Sequence, residues 1–451
     1  MKRLKLFILN TFILVITSVI IRTASITFEI YIANTIGSEG IGLFNLIMSI
    51  YFFAITVANS GIGLASTRIV AEEIAIDSKS GAKIAIKKCL IYSILFGVLA
   101  CILLVLSAPL ICNILLHGKI KPIALYIIAI SLPFSSIATS LNGYFIGIKK
   151  IYKNSIYDIF NTICKILITV ILLKFFSPNN IELSCLILVL ANTISEILSF
   201  ACLYLLYIFD IKKLQNFRSS KNNYLKRVLK ISIPVAITSY IRSGLSSIKH
   251  MLIPLSFEKY GMSCQLALSS YGIITGMVMP ILLFPGIIIN SISSLLIPEF
   301  ARYNTKKDFK KMNEVINTAF SLTIFFSTFI VGIYIIFYKE ISNITYHNLE
   351  IAKYLLLLAP LSLFMYLDHI VDAILKGIDK QVGVMYCNIV DLFISIFLIY
   401  TLLPIYGMNG YIVVLYISEI FNFSISLYQL YKATHFTLDI SKRFFYNFKH
   451  S

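Results

Sequence analysis

Four ionisable side chains lie deep inside apolar stretches, where an ionised group is costly unless it faces a cavity or a partner. Arg22 and Glu29 are seven residues apart in one stretch, and Arg242 and Lys249 have the same spacing in a later one. Seven residues are close to two helical turns, so each pair lies on one helix face. Three cations and one acid predict a positively charged cavity. Because arginine binds phosphate oxygens in a bidentate manner, such a cavity suits an anionic substrate such as a diphosphate.

Two further residues extend this predicted site towards the cytoplasm. Asn59 lies near the end of the second apolar stretch, and Arg68 follows it beside Glu72 and Glu73, where it would guard the cytoplasmic mouth. Two alternatives stay open. The charges inside the apolar stretches could form structural ion pairs, for example Arg22 or Lys249 with Glu29, and Arg68 could be an arginine that extends to the membrane interface.

Carboxylates form a second group near the C-terminus. Asp368 and Asp372 are four residues apart with His369 between them, and Asp391 lies near Asn388 in the next apolar stretch. Buried carboxylates on one helix face bind Na⁺ or exchange H⁺ in transporters, so we expect Na⁺ or H⁺ as a coupling ion at this group. The alternative is that Asp372 already lies at the interface and Asp368 pairs with a neighbour. The sequence predicts no other cofactor and no metal centre, since its eight cysteines include no CxxC pair.

The elements that position these residues are membrane helices. Hydrophobic residues make up 58% of the 451 residues and charged residues 13%, whereas soluble domains carry about 25% charged residues. A bilayer core requires about 20 apolar residues per helix. Twelve apolar runs meet this length, and we number them in chain order: 6–34, 42–67, 89–112, 122–147, 156–176, 183–209, 231–256, 267–297, 317–338, 351–375, 383–404 and 411–431.

Charge placement predicts the orientation of the chain. With a cytoplasmic N-terminus, most of the 39 Lys and Arg residues lie in cytoplasmic segments, and few lie outside: Lys119, Lys121, Lys259, Lys339 and Lys353. This positive-inside bias predicts a multi-pass protein of the bacterial cytoplasmic (inner) membrane, with both termini cytoplasmic. The formal net charge of +18 therefore reflects topology, and we expect membrane lipids and no nucleic acid as partners.

An internal repeat divides the chain. The segment 16–22 in run 1 resembles 237–242 in run 7, and 157–160 in run 5 resembles 390–393 in run 11, with similar echoes between runs 4 and 10. The matches keep their order, so they predict a duplication of six helices in parallel orientation. Such repeats commonly place a substrate site at their interface. The predicted domains are an N-terminal lobe 1–210, a basic linker 211–230, a C-terminal lobe 231–432 and a basic tail 433–451.

One stretch of the sequence resembles a known family. Residues 36–51, IGSEGIGLFNLIMSIY, and 59–73, NSGIGLASTRIVAEE, are similar to the N-terminal signature of the stage V sporulation protein B type of polysaccharide transporter. That group belongs to the multidrug/oligosaccharidyl-lipid/polysaccharide (MOP) flippase superfamily, which includes the multidrug and toxic-compound extrusion (MATE) proteins and the lipid II flippases. The resemblance is specific over about residues 10–75, and the twelve-helix duplicated plan extends it over nearly the whole chain.

The resemblance implies an all-α polytopic protein with about twelve transmembrane helices in two pseudo-symmetric six-helix lobes, MATE-like and V-shaped, that works by alternating access. It implies an undecaprenyl-diphosphate-linked sugar as substrate, such as a peptidoglycan or polysaccharide precursor. Lipid II flippases carry an arginine, an acid and a later basic residue that match Arg22, Glu29 and Arg242. A second arginine of their first helix is replaced here by Phe28.

Four functional readings follow. The first is a flippase for a lipid-linked oligosaccharide in cell-wall or spore-cortex synthesis, with cell-wall synthesis proteins as candidate partners. The second is a cation-coupled multidrug exporter of the same fold, for which an acidic cavity is expected. The third is a non-transporting membrane scaffold of a cell-wall assembly complex. The fourth, a membrane-embedded enzyme, is not expected, because the loops are short and no P-loop, GxSxG or HExxH motif occurs.

Overall fold

The computed structural model describes residues 2–75, 79–115, 121–150, 152–176, 180–211 and 224–437, and these residues are almost entirely helical. No strand occurs among them, so the all-α prediction is confirmed for this part of the chain. Two π-helical segments, Ile111–Leu115 and Ile273–Val278, interrupt the α-helices. The α-helices are α1 (Lys2–Asn59), α2 (Ile62–Ala75), α3 (Lys79–Leu110), α4 (Pro122–Ala129), α5 (Ser131–Gly147), α6 (Tyr152–Phe176), α7 (Ile181–Ile211), α8 (Tyr224–Lys259), α9 (Cys264–Gly272), α10 (Met279–Leu283), α11 (Gly286–Lys306), α12 (Phe309–Tyr346), α13 (Leu349–Leu358), α14 (Leu361–Gly377) and α15 (Gln381–Thr434).

The helices account for the predicted apolar runs. Eight helices of the described chain are long and apolar enough to cross a membrane, and the bent pair α13–α14 makes a ninth. Two of the eight, Thr17–Ala75 and Gln381–Thr434, each contain two of the predicted runs. Run 7 lies in α8, which is long enough to cross but is not among the helices that are apolar enough. The chain is therefore a polytopic α-helical membrane protein.

Single residues mark the positions where long helices bend. Gly37 in α1 and Gly407 in α15 have φ angles of 74° and 55°, in the region that favours glycine because it lacks a Cβ. Pro360 separates α13 from α14, which are bent by 51°. In contrast, Pro234 and Pro254 leave α8 continuous.

The chain divides into two compact units. Unit 1 comprises Met1–Phe28 and Thr35–Met251, and unit 2 comprises Glu29–Asn34 and Leu252–Ser451. This division cuts α1 and α8, so it differs from the division given by the sequence repeat, and the predicted lobe bounds stay a prediction. Most of the predicted linker and tail, residues 212–223 and 438–451, lies outside the described residues.

The core of unit 1 is formed by α2, α3, α5 and α7 together with the start of α8. Ile69, Ile86 and Phe145 are among its fully buried side chains. Helices α2 and α5 approach very closely at Gly143, where a Cβ would lie 2.0 Å from the Ser66 hydroxyl oxygen. The glycine is thus required by the packing of these two helices.

Helix α8 is attached to α1 by side-chain hydroxyl groups, and we call this contact the α1–α8 seam. Ser247 donates to the Ser49 carbonyl at 2.6 Å. Ser243 donates to the Phe52 carbonyl at 3.2 Å, and the Tyr240 hydroxyl lies 2.7 Å from the Ser60 hydroxyl. Since these residues are spaced at three and four positions along α8, one face of this helix carries the whole seam.

The core of unit 2 is formed by α11, α12, α14 and α15. Phe300, Ile370 and Tyr366 are fully buried in it. The chain that follows α15 also packs on this core. Phe436 is 5% exposed, and the Thr437 carbonyl accepts a hydrogen bond from the Asn317 side chain at 2.9 Å.

Candidate transport site and charged clusters

The predicted cationic site falls largely on unit 1. Arg22 in α1 is half-buried, and the structure gives it no hydrogen bond or ion pair with a described residue of unit 1. Arg242 in α8 is exposed and likewise has no such partner in the described part of unit 1. Lys249, two turns further along α8, is half-buried and does interact with other groups. Glu29 belongs to unit 2.

The other two residues of the predicted site make local contacts. The Asn59 side-chain oxygen accepts a hydrogen bond from the Thr139 hydroxyl at 3.1 Å, which joins α1 to α5. Arg68 is largely exposed on α2 and donates to Glu72 one turn later at 2.9 Å. Asn59 and Arg68 are therefore held by unit 1 itself.

A charged cluster at the end of α2 was missed by the sequence analysis. Arg227, in the first turn of α8, pairs with Glu72 and, at 3.2 Å, with Glu73. The Glu73 side chain is only 3% exposed. The partners are separated by 154 residues, so no local spacing could have indicated the pairing. This cluster fixes the start of α8 to α2.

A second cluster joins α5, α6 and α7. Asp210, near the end of α7, is 6% exposed and pairs with Lys150 and, at 3.2 Å, with Lys153. The Lys153 ammonium also lies 4.7 Å from the centre of the Phe145 ring. A single buried carboxylate thus neutralises two of the lysines that the topology prediction assigns to the cytoplasmic side.

Arg22 and Arg242 differ from the cations of unit 1 that are held in ion pairs. Elsewhere in unit 1, several cations have an acidic partner within ion-pair distance, namely Arg68, Lys121, Lys150, Lys153 and Arg227. Charged groups in membrane segments are usually paired or face a water-filled cavity. Neither guanidinium group, that of Arg22 or that of Arg242, has an acidic partner in the described part of unit 1.

The predicted acidic group lies in unit 2, between α14 and α15. Asp391 accepts a hydrogen bond from Ser418 at 2.6 Å, and Ser418 lies 2.9 Å from Ser395. Asp368 accepts from the Asn422 amide at 3.0 Å. We call Asp368, Asp372, Asp391 and the side chains that contact them the α14–α15 acidic cluster.

Three oxygens of this cluster have no hydrogen-bond partner among the described residues: Asp368 Oδ1, Asp372 Oδ1 and Asn422 Oδ1. Ser426 is 1% exposed and lies against Asp368. Partnerless buried oxygens next to carboxylates are the ligand type that hard cations prefer. Ser418, Asn422 and Ser426 follow each other at four-residue spacing, so a polar stripe in run 12 could have indicated them.

The remaining residues of the predicted coupling site have local partners. Asp372 forms an ion pair with Lys376 one turn later at 3.4 Å. Asn388 donates to the Val384 carbonyl of its own helix at 3.0 Å. Among the described residues, no group of three or more His, Cys, Asp or Glu side chains is arranged to hold a metal ion.

Comparison with solved structures defines the fold. An inward-facing multidrug resistance MATE family transporter of the MOP superfamily superposes with a TM-score of 0.69 at 13% identity, covering 93% of this chain and 99% of that one. A MOP superfamily transporter from Pyrococcus furiosus, described with a binding pocket of reverse polarity that suggests a different function, superposes with a TM-score of 0.65 at 13% identity, covering 94% of each chain. The fold is that of a MATE-like membrane transporter.

Family and sequence comparisons agree. The chain belongs to the polysaccharide biosynthesis protein family, whose model matches residues 7–304, and the MatE family model matches residues 260–401. It is 24% identical to stage V sporulation protein B of Bacillus subtilis (strain 168) over 90% of this chain and 79% of the relative. It is 22% identical to sporulation protein YkvU of the same strain over 82% of each. The predicted place in the MOP flippase superfamily is confirmed.

Proposed function

We propose that this protein moves a lipid-linked oligosaccharide, whose head is joined to an undecaprenyl-type lipid by a diphosphate, from the cytoplasmic to the outer leaflet of the membrane. The relatives named above and the polysaccharide biosynthesis family support transport of a glycan precursor. Since both curated relatives are sporulation proteins, a peptidoglycan or polysaccharide precursor made during spore formation is the substrate we favour.

The availability of Arg22 and Arg242 carries this proposal. Arg22 lies in a helix that is long and apolar enough to cross a membrane, whereas Arg242 lies in run 7, which the sequence alone assigns to the membrane. Neither has an acidic partner among the described residues of unit 1. An unpaired guanidinium in such a place is costly unless an anion or water compensates it. A diphosphate offers several acceptor oxygens for the two planar guanidinium groups, so it fits them better than a neutral or cationic ligand.

The α14–α15 acidic cluster supplies the second part of the proposal. We assign it the coupling cation, Na⁺ or H⁺, whose binding would help to reset the transporter after release of the glycan. The oxygens of Asp368, Asp372 and Asn422 that have no partner among the described residues support this role, because a bound cation would satisfy them. Asp391, Asp372 and Asn388 complete the proposed site, although Asn388 donates within its own helix.

The competing function is a cation-coupled multidrug exporter. The MATE structures favour it by fold, and the acidic cluster in unit 2 would suit an organic cation. Arg22 and Arg242, which have no acidic partner in the described part of unit 1, oppose it, because a cationic drug near them would be repelled. In the orientation we propose, the protein lies in the cytoplasmic membrane with both termini inside the cell, and cell-wall synthesis proteins could be its partners.

The decisive experiment measures translocation of a fluorescent undecaprenyl-diphosphate sugar in proteoliposomes. Wild type is compared with Arg22→Ala, Arg242→Ala and the matched control Arg302→Ala, which removes an exposed arginine of α11 in unit 2. We expect translocation by wild type and the control, and loss of at least about tenfold in each test variant, the effect of about 1.4 kcal/mol of lost substrate interaction.

Three outcomes would contradict all or part of the proposal. If folded wild type moves no lipid-linked glycan but exports organic cations along a Na⁺ or H⁺ gradient, the drug exporter is correct. If glycan is moved equally well by wild type and both arginine variants, the flippase reading stands but the cationic site is wrong. Binding of glycan-synthesis proteins without transport of either substrate would favour the scaffold.

A further inference from the structure

The two halves of the chain carry acids at matching positions of the repeat. Asp158 in α6 matches Asp391 in α15 through the shared segments 157–160 and 390–393. Glu196 in α7 likewise matches Glu419 in α15, and their flanking residues Ser195 and Ser418 match too. A site built from α14 and α15 in unit 2 therefore has a counterpart within unit 1.

The contacts of Glu196 show that this counterpart is assembled. The Asn161 amide donates to Glu196 at 3.5 Å, and the Asn161 side-chain oxygen accepts from Ser199 at 3.2 Å. Tyr157 and Lys165 also interact with Glu196. Lys165 is half-buried in the middle of α6. Its ammonium group is the cation of this cluster.

Two carboxylates of the unit 2 cluster have no counterpart in unit 1. Where α14 has Asp368 and Asp372, the corresponding positions of α5 are Ala138 and Asn142, as fixed by the matching segments 147–150 and 377–380. These substitutions remove two carboxylates from unit 1.

The lysine shifts the charge further. At the position of Lys165, the repeat has Leu398 in α15. The unit 2 cluster thus has two more carboxylates than the unit 1 cluster and a leucine, Leu398, where unit 1 has Lys165. Lys376 offsets part of the negative charge of unit 2, but it pairs with Asp372 and not with Asp368 or Asp391.

We infer that the Lys165 ammonium group is a built-in cation of the unit 1 cluster, and that it takes the place which a mobile monovalent cation takes in the α14–α15 acidic cluster. Lys165 lies one turn after Asn161, which contacts Glu196, so its tethered ammonium keeps a positive charge near Glu196. That charge repels a second cation from the same oxygens. The chain would accordingly bind one coupling cation and not two. The comparison with unit 2 rests on the proposed coupling site, but the assignment of Lys165 does not.

The test replaces Lys165 by the leucine of the repeat, Lys165→Leu, and measures Na⁺ binding to purified protein with radioactive sodium. Thermal unfolding is followed in parallel with a thiol-reactive dye, because the chain has eight cysteines and no tryptophan. We expect Lys165→Leu to bind one more Na⁺ per chain than wild type. Na⁺ should also raise its unfolding temperature more than that of wild type, while choline should not.

Matched variants separate the site from general effects of charge. Lys174→Leu removes an exposed lysine in the last turn of the same helix and should leave Na⁺ binding unchanged. Adding Glu196→Gln to Lys165→Leu should abolish binding of the extra Na⁺. It should also bring the unfolding temperature measured without Na⁺ back to that of wild type. If Lys165→Leu fails to fold, Lys165→Gln, which keeps a polar side chain, takes its place with the same expectation.

Equal Na⁺ binding by folded Lys165→Leu, Lys165→Gln and wild type would overturn the inference, as would two Na⁺ bound by wild type. The glycan assay reports separately on the proposed function. A Lys165→Leu protein that gains the Glu196-dependent Na⁺ supports the built-in cation even if no glycan is moved. Normal glycan transport by a Lys165→Leu protein that binds no extra Na⁺ would contradict this inference and leave the proposed function intact.

Discussion

A side chain at Gly61 would collide with the backbone of Ser232, since a Cβ built on the glycine lies 2.6 Å from the Ser232 carbonyl oxygen. Gly61 also has a φ of 71°, where L side chains are strained. The turn between α1 and α2 therefore touches the first half of α8 backbone to backbone. This contact holds α8 in unit 1 beside the α1–α8 seam.

We predict that Gly61→Ala lowers the free energy of unfolding by at least about 2 kcal/mol, because strain and steric overlap add. The measurement is the thermal unfolding temperature in detergent. Gly332→Ala is the matched control, since Gly332 lies in the middle of α12 with no atom within 4 Å of an added Cβ. This control should be neutral or more stable by up to about 1 kcal/mol. An unchanged Gly61→Ala protein would show that α8 does not press on this turn.

The seam itself is tested by Tyr240→Phe. The variant removes the hydroxyl that meets the 2%-exposed Ser60, and one buried hydrogen bond contributes about 1 kcal/mol. Tyr428→Phe removes a hydroxyl from a side chain that is 64% exposed and should change stability by less than about 0.5 kcal/mol. Equal unfolding temperatures for the two variants would show that the Tyr240 contact of the seam adds nothing to stability.

The cluster at the end of α2 predicts an asymmetry between two arginines. Arg227→Met leaves the buried Glu73 without its ion-pair partner and should destabilise by about 1–2 kcal/mol, less than a fully buried pair because Arg227 is partly exposed. Adding Glu73→Gln should recover most of this loss. Arg68→Met breaks only an exposed pair with Glu72 and should cost less than about 0.5 kcal/mol. A larger loss of stability in Arg68→Met than in Arg227→Met would show that the exposed pair, and not the pair with Glu73, is the one that matters.

The chain beyond α15 is predicted to contribute to unit 2. Phe436→Ala should destabilise by about 3 kcal/mol, the usual cost of truncating a buried phenylalanine. Phe329→Ala removes a phenylalanine of α12 that is 60% exposed and serves as the control. Comparable unfolding temperatures for both variants would mean that Phe436 is not part of the core.

The predicted orientation is tested by the cysteines. Cys264 is exposed, whereas the other seven cysteines are buried or half-buried. If the N-terminus is cytoplasmic, Cys264 lies at the outer surface between runs 7 and 8. A membrane-impermeant maleimide should then label wild type in intact cells and fail to label Cys264→Ser. If Cys264 is labelled only after the membrane is permeabilised, the predicted orientation is wrong and the termini lie outside.

The sequence predicted the helices well because apolar length is a local property, whereas the orientation inferred from charge asymmetry stays a prediction. It also located the acidic residues of α14 and α15. It could not predict that Glu73 pairs with Arg227 or that Asp210 pairs with Lys150, because these contacts join distant helices. The loops predicted near 35–41 and 405–410 are absent from these parts of the described chain, because Gly37 and Gly407 bend their helices within one residue.

Gly37 and Gly407 also determine which junctions between helices tolerate proteolysis or an inserted tag. A junction of one residue offers a protease no extended backbone to bind, and Gly407 is further covered by the ring of Tyr260, 2.8 Å from an added Cβ. An epitope inserted at Gly407 would have to push that ring and two helices apart. Gly261, with a φ of 105° and open space around it, has no such neighbour. A tag for purification or imaging therefore belongs at Gly261.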